Sequence, residues 1–155
     1  MKIKLFIFLL LLASCKTPKE TKTMIQKMPV EIEITEVENN FTFTVLNNSA
    51  EPIKIINPRK ITVQKLQNDN WQNLRILICP CDAPCNAPKE SISVDSNQVY
   101  SFNWNKKESW CGNRTPYGIR ETIEQLVDPG KFKILVSVEK SDQSIEIISK
   151  EFEIK

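Results

Sequence analysis

The chain has 155 residues, 21 Lys and Arg against 19 Asp and Glu, five cysteines and no histidine. That length holds one domain of ordinary size, and a formal charge of +2 leaves no basic footprint for nucleic acid. Without imidazole, Ser-His-Asp and Cys-His catalysis and histidine metal ligation are all removed. Nothing in the spacing of the carboxylates selects an acid/base pair, so no catalytic residue, no metal ligand set and no cofactor is expected.

The first element is an address. Met1 to Lys4 carries two lysines, and Leu5 to Ala13 is an unbroken apolar run of nine residues. Such a run is too short for a span, which takes about 20 helical residues, but it fits a secretory h-region. Leu12-Ala13-Ser14-Cys15 resembles the lipobox of bacterial lipoproteins. In that family cleavage precedes the cysteine, whose sulfur receives a diacylglyceryl group and whose new amine is usually acylated. The resemblance implies a signal peptide over residues 1–14, lipidation at Cys15 and membrane attachment without a transmembrane helix, since each buried acyl CH₂ contributes about 0.8 kcal/mol. Cleavage would remove two lysines and no acids, leaving 19 basic and 19 acidic side chains on 141 residues. Residues 15–28, rich in Lys and Thr and without an apolar period, read as a tether with an end-to-end distance of roughly 20 Å. Some surface-exported lipoproteins carry an acidic stretch after the lipidated cysteine, whereas Lys16-Thr17-Pro18-Lys19 is basic. The expected location is therefore the bacterial cell envelope, at an outer membrane and facing the periplasm.

Over residues 29–155 the dominant period is two. Val30, Ile32 and Ile34 alternate with polar residues, as do Phe41, Phe43 and Val45, and then Phe132, Ile134, Val136 and Val138. Each set predicts a strand with one buried face. Further strands are expected at Ile53 to Ile56, Ile61 to Leu66, Leu74 to Ile78, Ser91 to Val94, Val99 to Trp104 and Ile145 to Ile154. In the last of these the apolar phase switches between Ile147 and Phe152, which predicts a bulge near Ile148 and Ser149. Ile119 to Val127 fits a short helix or a twisted strand equally well. With three glycines in the chain, Asn and Asp must supply most left-handed turn positions. Asp128-Pro129-Gly130 fits a type II turn. Eight or nine strands with short connections predict an all-β, antiparallel β-sandwich.

The order Phe41-Thr-Phe-Thr-Val-Leu-Asn47 with Ser49, Glu51-Pro52-Ile53, Tyr100-Ser-Phe-Asn-Trp104 and Val127-Asp-Pro-Gly-Lys-Phe-Lys-Ile134 resembles the bacterial immunoglobulin-like domain typified by intracellular proteinase inhibitors. It is also similar to small cysteine-containing envelope lipoproteins with the same sandwich. The resemblance implies an immunoglobulin-like fold and, as one function, protease inhibition.

Four cysteines lie outside the lipobox: Cys79, Cys81 and Cys85 in Cys79-Pro-Cys-Asp-Ala-Pro-Cys85, and Cys111. An even number in an exported chain reads first as two disulfides. A Cys79 to Cys81 bridge would cross a proline between side chains on opposite faces, so Cys111 is expected to join either Cys79 or Cys81. A thiolate site for Zn²⁺ or Cu(I) and a redox-active pair are the other uses of the same sulfurs.

Tyr100, Phe102 and Trp104 alternate on one strand face and are expected in the core. Asn105 to Arg120 reads as a long loop carrying Trp110, Arg114, Tyr117 and Arg120, the composition of a recognition surface, although Trp110 could equally shield the disulfides. Asn47-Asn-Ser49 and Asn113-Arg-Thr115 match glycosylation sequons that a bacterial export route leaves unused. The function these residues imply is a non-enzymatic envelope lipoprotein, held at the membrane through Cys15, that binds another envelope protein or a surface polymer. Protease inhibition is the alternative, and thiolate metal or redox handling a third.

Overall fold

The computed structural model describes residues 28–60, 62–86 and 89–155. Cys15, the signal peptide and all of the tether except Met28 lie outside those residues. Among the described residues the chain is all-β, with antiparallel sheets and no helix, so no helix there is long and apolar enough to cross a membrane.

The first sheet joins β1 (Val30–Val37), β2 (Asn40–Asn47) and β7 (Val99–Trp104) in the order β1-β2-β7. Pairing of Val45 with Ile32 and Tyr100, and of Phe43 with Ile34 and Phe102, aligns the apolar sets of all three strands on one face. The second sheet is built on β10 (Gly130–Glu139). Along one side of β10 lies β11 (Ile145–Ile154); along the other, β4 (Thr62–Gln67) pairs its first half and β3 (Ile53–Ile56) its end. β5 (Asn70–Asn73) extends β4, and β6 (Ser91–Val94) extends β3.

The two apolar faces close on each other. Phe41, Phe43 and Trp104 of the first sheet meet Phe132 and Phe152 of the second, with ring centroids 4.9 Å apart for Phe41 and Phe152, 5.5 Å for Phe43 and Phe152, and 6.0 Å for Trp104 and Phe132. These separations suit tilted and edge-on ring pairs, whose quadrupoles attract. Tyr100 and Phe102 pack against the same core. The result is an antiparallel β-sandwich, as the period-two alternation predicts.

One polar side chain is buried among them. Asn47, 1 % exposed, ends β2 and donates its amide N–H groups to the carbonyls of Glu51 and Val94. Its Oδ1 accepts from the Ser49 backbone N–H and hydroxyl, while its own backbone bonds Gln98 O and Asn97 N. The Asn47, Ser49 and Glu51 cluster thus ties the end of β2 to the approach to β3, the end of β6 and the turn before β7.

Several sequence expectations are corrected. Of the two forms open for Ile119 to Val127 the structure takes the strand, β9 (Arg120–Leu126), while the supposed loop from Asn105 to Arg120 contains a further strand, β8 (Lys107–Arg114). Leu74 to Ile78 forms no strand, Ile78 lying in a bend; the strand lies just before it, at β5, where Asn68 and Asp69 take φ 48° and 60° and close a hairpin in the left-handed pair that type I′ turns require. β11 carries no bulge: its pairing with β10 runs unbroken from Gly130 opposite Ile154 to Glu139 opposite Ile145. Register follows the neighbouring strand and the tight turn at Ser141 to Ser144, so Ile145 and Ile147 simply face outward, 66 % and 64 % exposed. Gly130 has φ 149°, far from the roughly +80° of a type II turn, because it already belongs to the β10 ladder. Asn and Asp do hold five of the eight left-handed non-glycine positions among the described residues.

Candidate functional site

Among the described residues β8 and β9 pair only with each other, from Lys107 opposite Leu126 to Cys111 opposite Thr122, with a register shift before Arg114 meets Arg120. The hairpin stands beside the sandwich and is fastened to it at three heights.

At the base, the Trp104 indole N–H donates to Lys107 O at 2.8 Å, and Val127 N–H to Lys106 O at 2.9 Å. A core tryptophan therefore sets where the hairpin begins. Across the strands Lys107 Nζ lies 2.7 Å from Glu124.

In the middle, the segment after β5 runs along the open side of β8. Ser109 N–H donates to Arg75 O at 2.7 Å, Leu77 N–H to the Ser109 hydroxyl at 2.7 Å, and the Glu108 carboxylate accepts from Arg75 N–H at 3.0 Å. The Arg75 guanidinium carbon sits 4.1 Å from the centroid of Trp110, a cation–π contact. Trp110 faces Ile123 across the hairpin, and a Cβ on Gly112 would come within 2.7 Å of the Ile123 Cδ1. Glycine thus leaves room for Ile123 to fold down beside Trp110. Strand alternation sends Trp110 and Cys111 to opposite faces, so the indole braces Arg75 and does not cover the sulfurs.

Toward the tip the cysteines act. Cys81 and Cys111 stand at disulfide distance with Cα atoms 5.6 Å apart, and Cys79 and Cys85 with Cα atoms 6.0 Å apart, both within the span a cystine bridges. Of the two partners that sequence left open for Cys111, the fold selects Cys81. The Cys81 N–H donates to the Thr122 hydroxyl at 2.8 Å, and Thr122 lies opposite Cys111 in the ladder, so this bond positions the bridge. Between the cysteines, Asp82 takes φ 54° and aims its carboxylate at Arg120. It accepts from the Arg120 backbone N–H at 2.9 Å, from Nε at 3.1 and 3.2 Å and from the terminal nitrogen at 2.7 Å.

The end of the hairpin, Thr115 to Ile119, is closed by Thr115 N–H to Ile119 O at 2.8 Å and Gly118 N–H to Thr115 O at 2.9 Å, with Gly118 at φ 80°. Arg114 donates to Gly118 O at 2.8 Å. Tyr117 is 90 % exposed and Ile119 54 %. No family model matches the chain, and no curated protein matches it by sequence.

The four aromatic and basic residues singled out by composition thus divide. Tyr117 and Arg114 form the outward tip, whereas Trp110 and Arg120 are engaged in fastening the hairpin. Sequence reasoning missed Arg75, Thr122 and Asp82. For Asp82 a signal was present, an acid between two cysteines in a proline-stiffened loop; Arg75 and Thr122 are 35 and 11 residues in sequence from Trp110 and Cys111 respectively, and no local pattern joins them. Among the described residues no three His, Cys, Asp or Glu side chains are grouped to hold a metal ion.

The hydrogen bonds from the Arg120 side chain, and next from its backbone N–H, hold the Asp82 carboxyl down at about 2, against 3.8 for a free aspartate. A depressed carboxyl contributes stability that is complete above the unfolded value and is lost as pH falls through the folded one. Thermal melts of the native chain are therefore expected to decline between pH 4 and pH 2 with a component that Asp82→Asn abolishes; identical pH profiles for the two proteins would contradict it.

Proposed function

We propose that the protein is a lipid-anchored envelope lipoprotein whose immunoglobulin-like sandwich is a non-enzymatic binding module, held at the membrane through Cys15 and engaging another envelope protein or a surface polymer with the β8–β9 hairpin. The observation that carries this reading is the construction of the tip. A tyrosine 90 % exposed stands beside Pro116, Ile119 and Arg114 on a hairpin cross-linked and ion-paired to its support. Exposed aromatics and arginines on a rigid mount suit recognition, because little conformational freedom is lost when a partner binds. The pairing of the four sulfurs supports a bracing role for them over a thiolate site.

A second reading, protease inhibition, is favoured by the same bracing: an exposed, internally hydrogen-bonded loop tied by a cross-link can enter a protease cleft without rearranging. The two separate in one experiment on the full chain. Crosslinking in intact cells is expected to capture an envelope partner, and Tyr117→Ala or Arg114→Ala to cut that capture at least tenfold while stability stays within about 0.5 kcal/mol, as for other exposed substitutions. Undiminished capture by both variants would refute the tip as the binding surface, and tight inhibition of a member of a protease panel, lost in Tyr117→Ala, would establish the second reading instead.

A further inference from the structure

Beside the base of the hairpin the structure opens a polar cleft of about 320 Å³, within the range of small-molecule clefts, roughly 300–1,000 Å³. Two surfaces form it. The first is the outward face at one end of the β1-β2-β7 sheet: Phe41 and Trp104 are ladder partners buried in the core, so their chain neighbours Asn40 and Asn103 turn the other way and are exposed, as is Asn105 at the bend that follows. The second is one face of the hairpin, where Lys107 and Ser109 share a side and Glu124 lies opposite Ser109. Lys106, at φ 58°, turns the chain between the two surfaces, and the partly buried Ile76 and Leu77 complete the lining.

We propose that this cleft binds a neutral glycan, whose hydroxyls are read by the asparagine amides. A sugar hydroxyl both donates and accepts, and a carboxamide offers both functions in one group. The amides of Asn40 and Asn105 have no hydrogen-bond partner among the described residues. Asn103 accepts from the Thr42 hydroxyl through Oδ1 at 2.8 Å, which leaves its N–H groups for a ligand. The Ser109 hydroxyl accepts from Leu77 N–H and keeps its own proton to donate. Charge narrows the class of ligand. Lys107 and Glu124 close on each other at 2.7 Å, and the neighbouring Arg75 and Lys106 are held by Glu108 and Glu36, so the cleft carries no surplus charge for a uronate, a phosphate or a cation. Its walls present neither an exposed aromatic ring nor an arginine, the anchors that protein interfaces favour, while Ile76 and Leu77 offer apolar surface to the C–H faces of a sugar ring. The site stands at the base of the hairpin and does not depend on the binding role of the Tyr117 tip.

The test is capture of the full chain, in mild detergent, on an array of immobilised oligosaccharides with neutral, uronic-acid-bearing and phosphorylated members. The native chain is expected to be retained by neutral members and not by the charged ones. Asn103→Asp keeps the acceptor for Thr42 but replaces the amide donor with a carboxylate oxygen, and Asn40→Ala removes an amide from an exposed position. Each is expected to weaken capture at least tenfold, with circular dichroism and melting temperature unchanged. An array on which no neutral member retains the native chain, or on which charged members retain it as strongly, would overturn the proposal. Neutral capture undiminished in either variant would overturn it as well, since the sugar would then be held elsewhere on the molecule.

Discussion

Replacing Asn47 with Leu is expected to destabilise the fold by about 2–4 kcal/mol, since each buried polar group left unpartnered costs about 1–3 kcal/mol. The amide supplies donors to Glu51 O and Val94 O and an acceptor to Ser49 N–H, and a leucine supplies none of them. The Glu51 carbonyl retains the Ser49 hydroxyl, so the Val94 carbonyl, with its buried residue, bears most of the cost. Asn47→Asp sharpens the case. It keeps the size and the acceptor but turns both donors into a carboxylate oxygen facing two carbonyls, so its loss should match or exceed that of leucine and grow as pH rises above the carboxylate range. Urea denaturation measures both variants, and a loss below about 1 kcal/mol for either would show that the cluster contributes little.

Removing the Cys81 and Cys111 pair as Cys81→Ser with Cys111→Ser is expected to cost about 3–4 kcal/mol on the chain-entropy estimate for a loop of this length, whose ends are 30 residues apart. Opening the Cys79 and Cys85 pair, 6 residues apart, should cost less, about 2 kcal/mol by the same relation. The two losses also differ in place. Cys81 is 6 % exposed and ties the loop to β8, so without its bridge the hairpin keeps its base on Trp104 and Arg75 but loses the covalent part of its upper fastening, leaving the Asp82 and Arg120 pair there. Amide hydrogen exchange is therefore expected to quicken across β8 and β9 while β2 and β10 remain protected. Loss of protection spread evenly over both sheets would mean that the bridge supports the whole sandwich instead of the hairpin.

The hairpin also explains why composition alone overstated the binding surface. Trp110, Arg114, Tyr117 and Arg120 lie close together in sequence, but strand alternation and Asp82 separate them. Arg120 opposite Arg114 would be a like-charge pair across the ladder, a destabilising arrangement. Asp82 answers Arg120 and Gly118 O answers Arg114, which leaves Tyr117 as the tip's unencumbered aromatic.

From sequence by itself, three properties of this protein are determined: the faces of β1, β2, β7 and β10, the Asn and Asp turns, and a cysteine count that pairs off evenly once Cys15 is set aside. These are legible because a strand's period reports which side of it is apolar, and because left-handed backbone favours particular residues wherever it occurs. Tertiary structure alone decided that Cys81 and not Cys79 meets Cys111, that β11 continues without a bulge and leaves Ile145 and Ile147 outside, and that Asn47 is a buried hub. Each of these depends on a partner distant in sequence: Thr122 for Cys81, the β10 ladder for β11, Val94 and Gln98 for Asn47. Periodicity says which way a side chain points, but register and pairing follow from the energies of contacts between separate strands, and those exist only once the sheets have closed on each other.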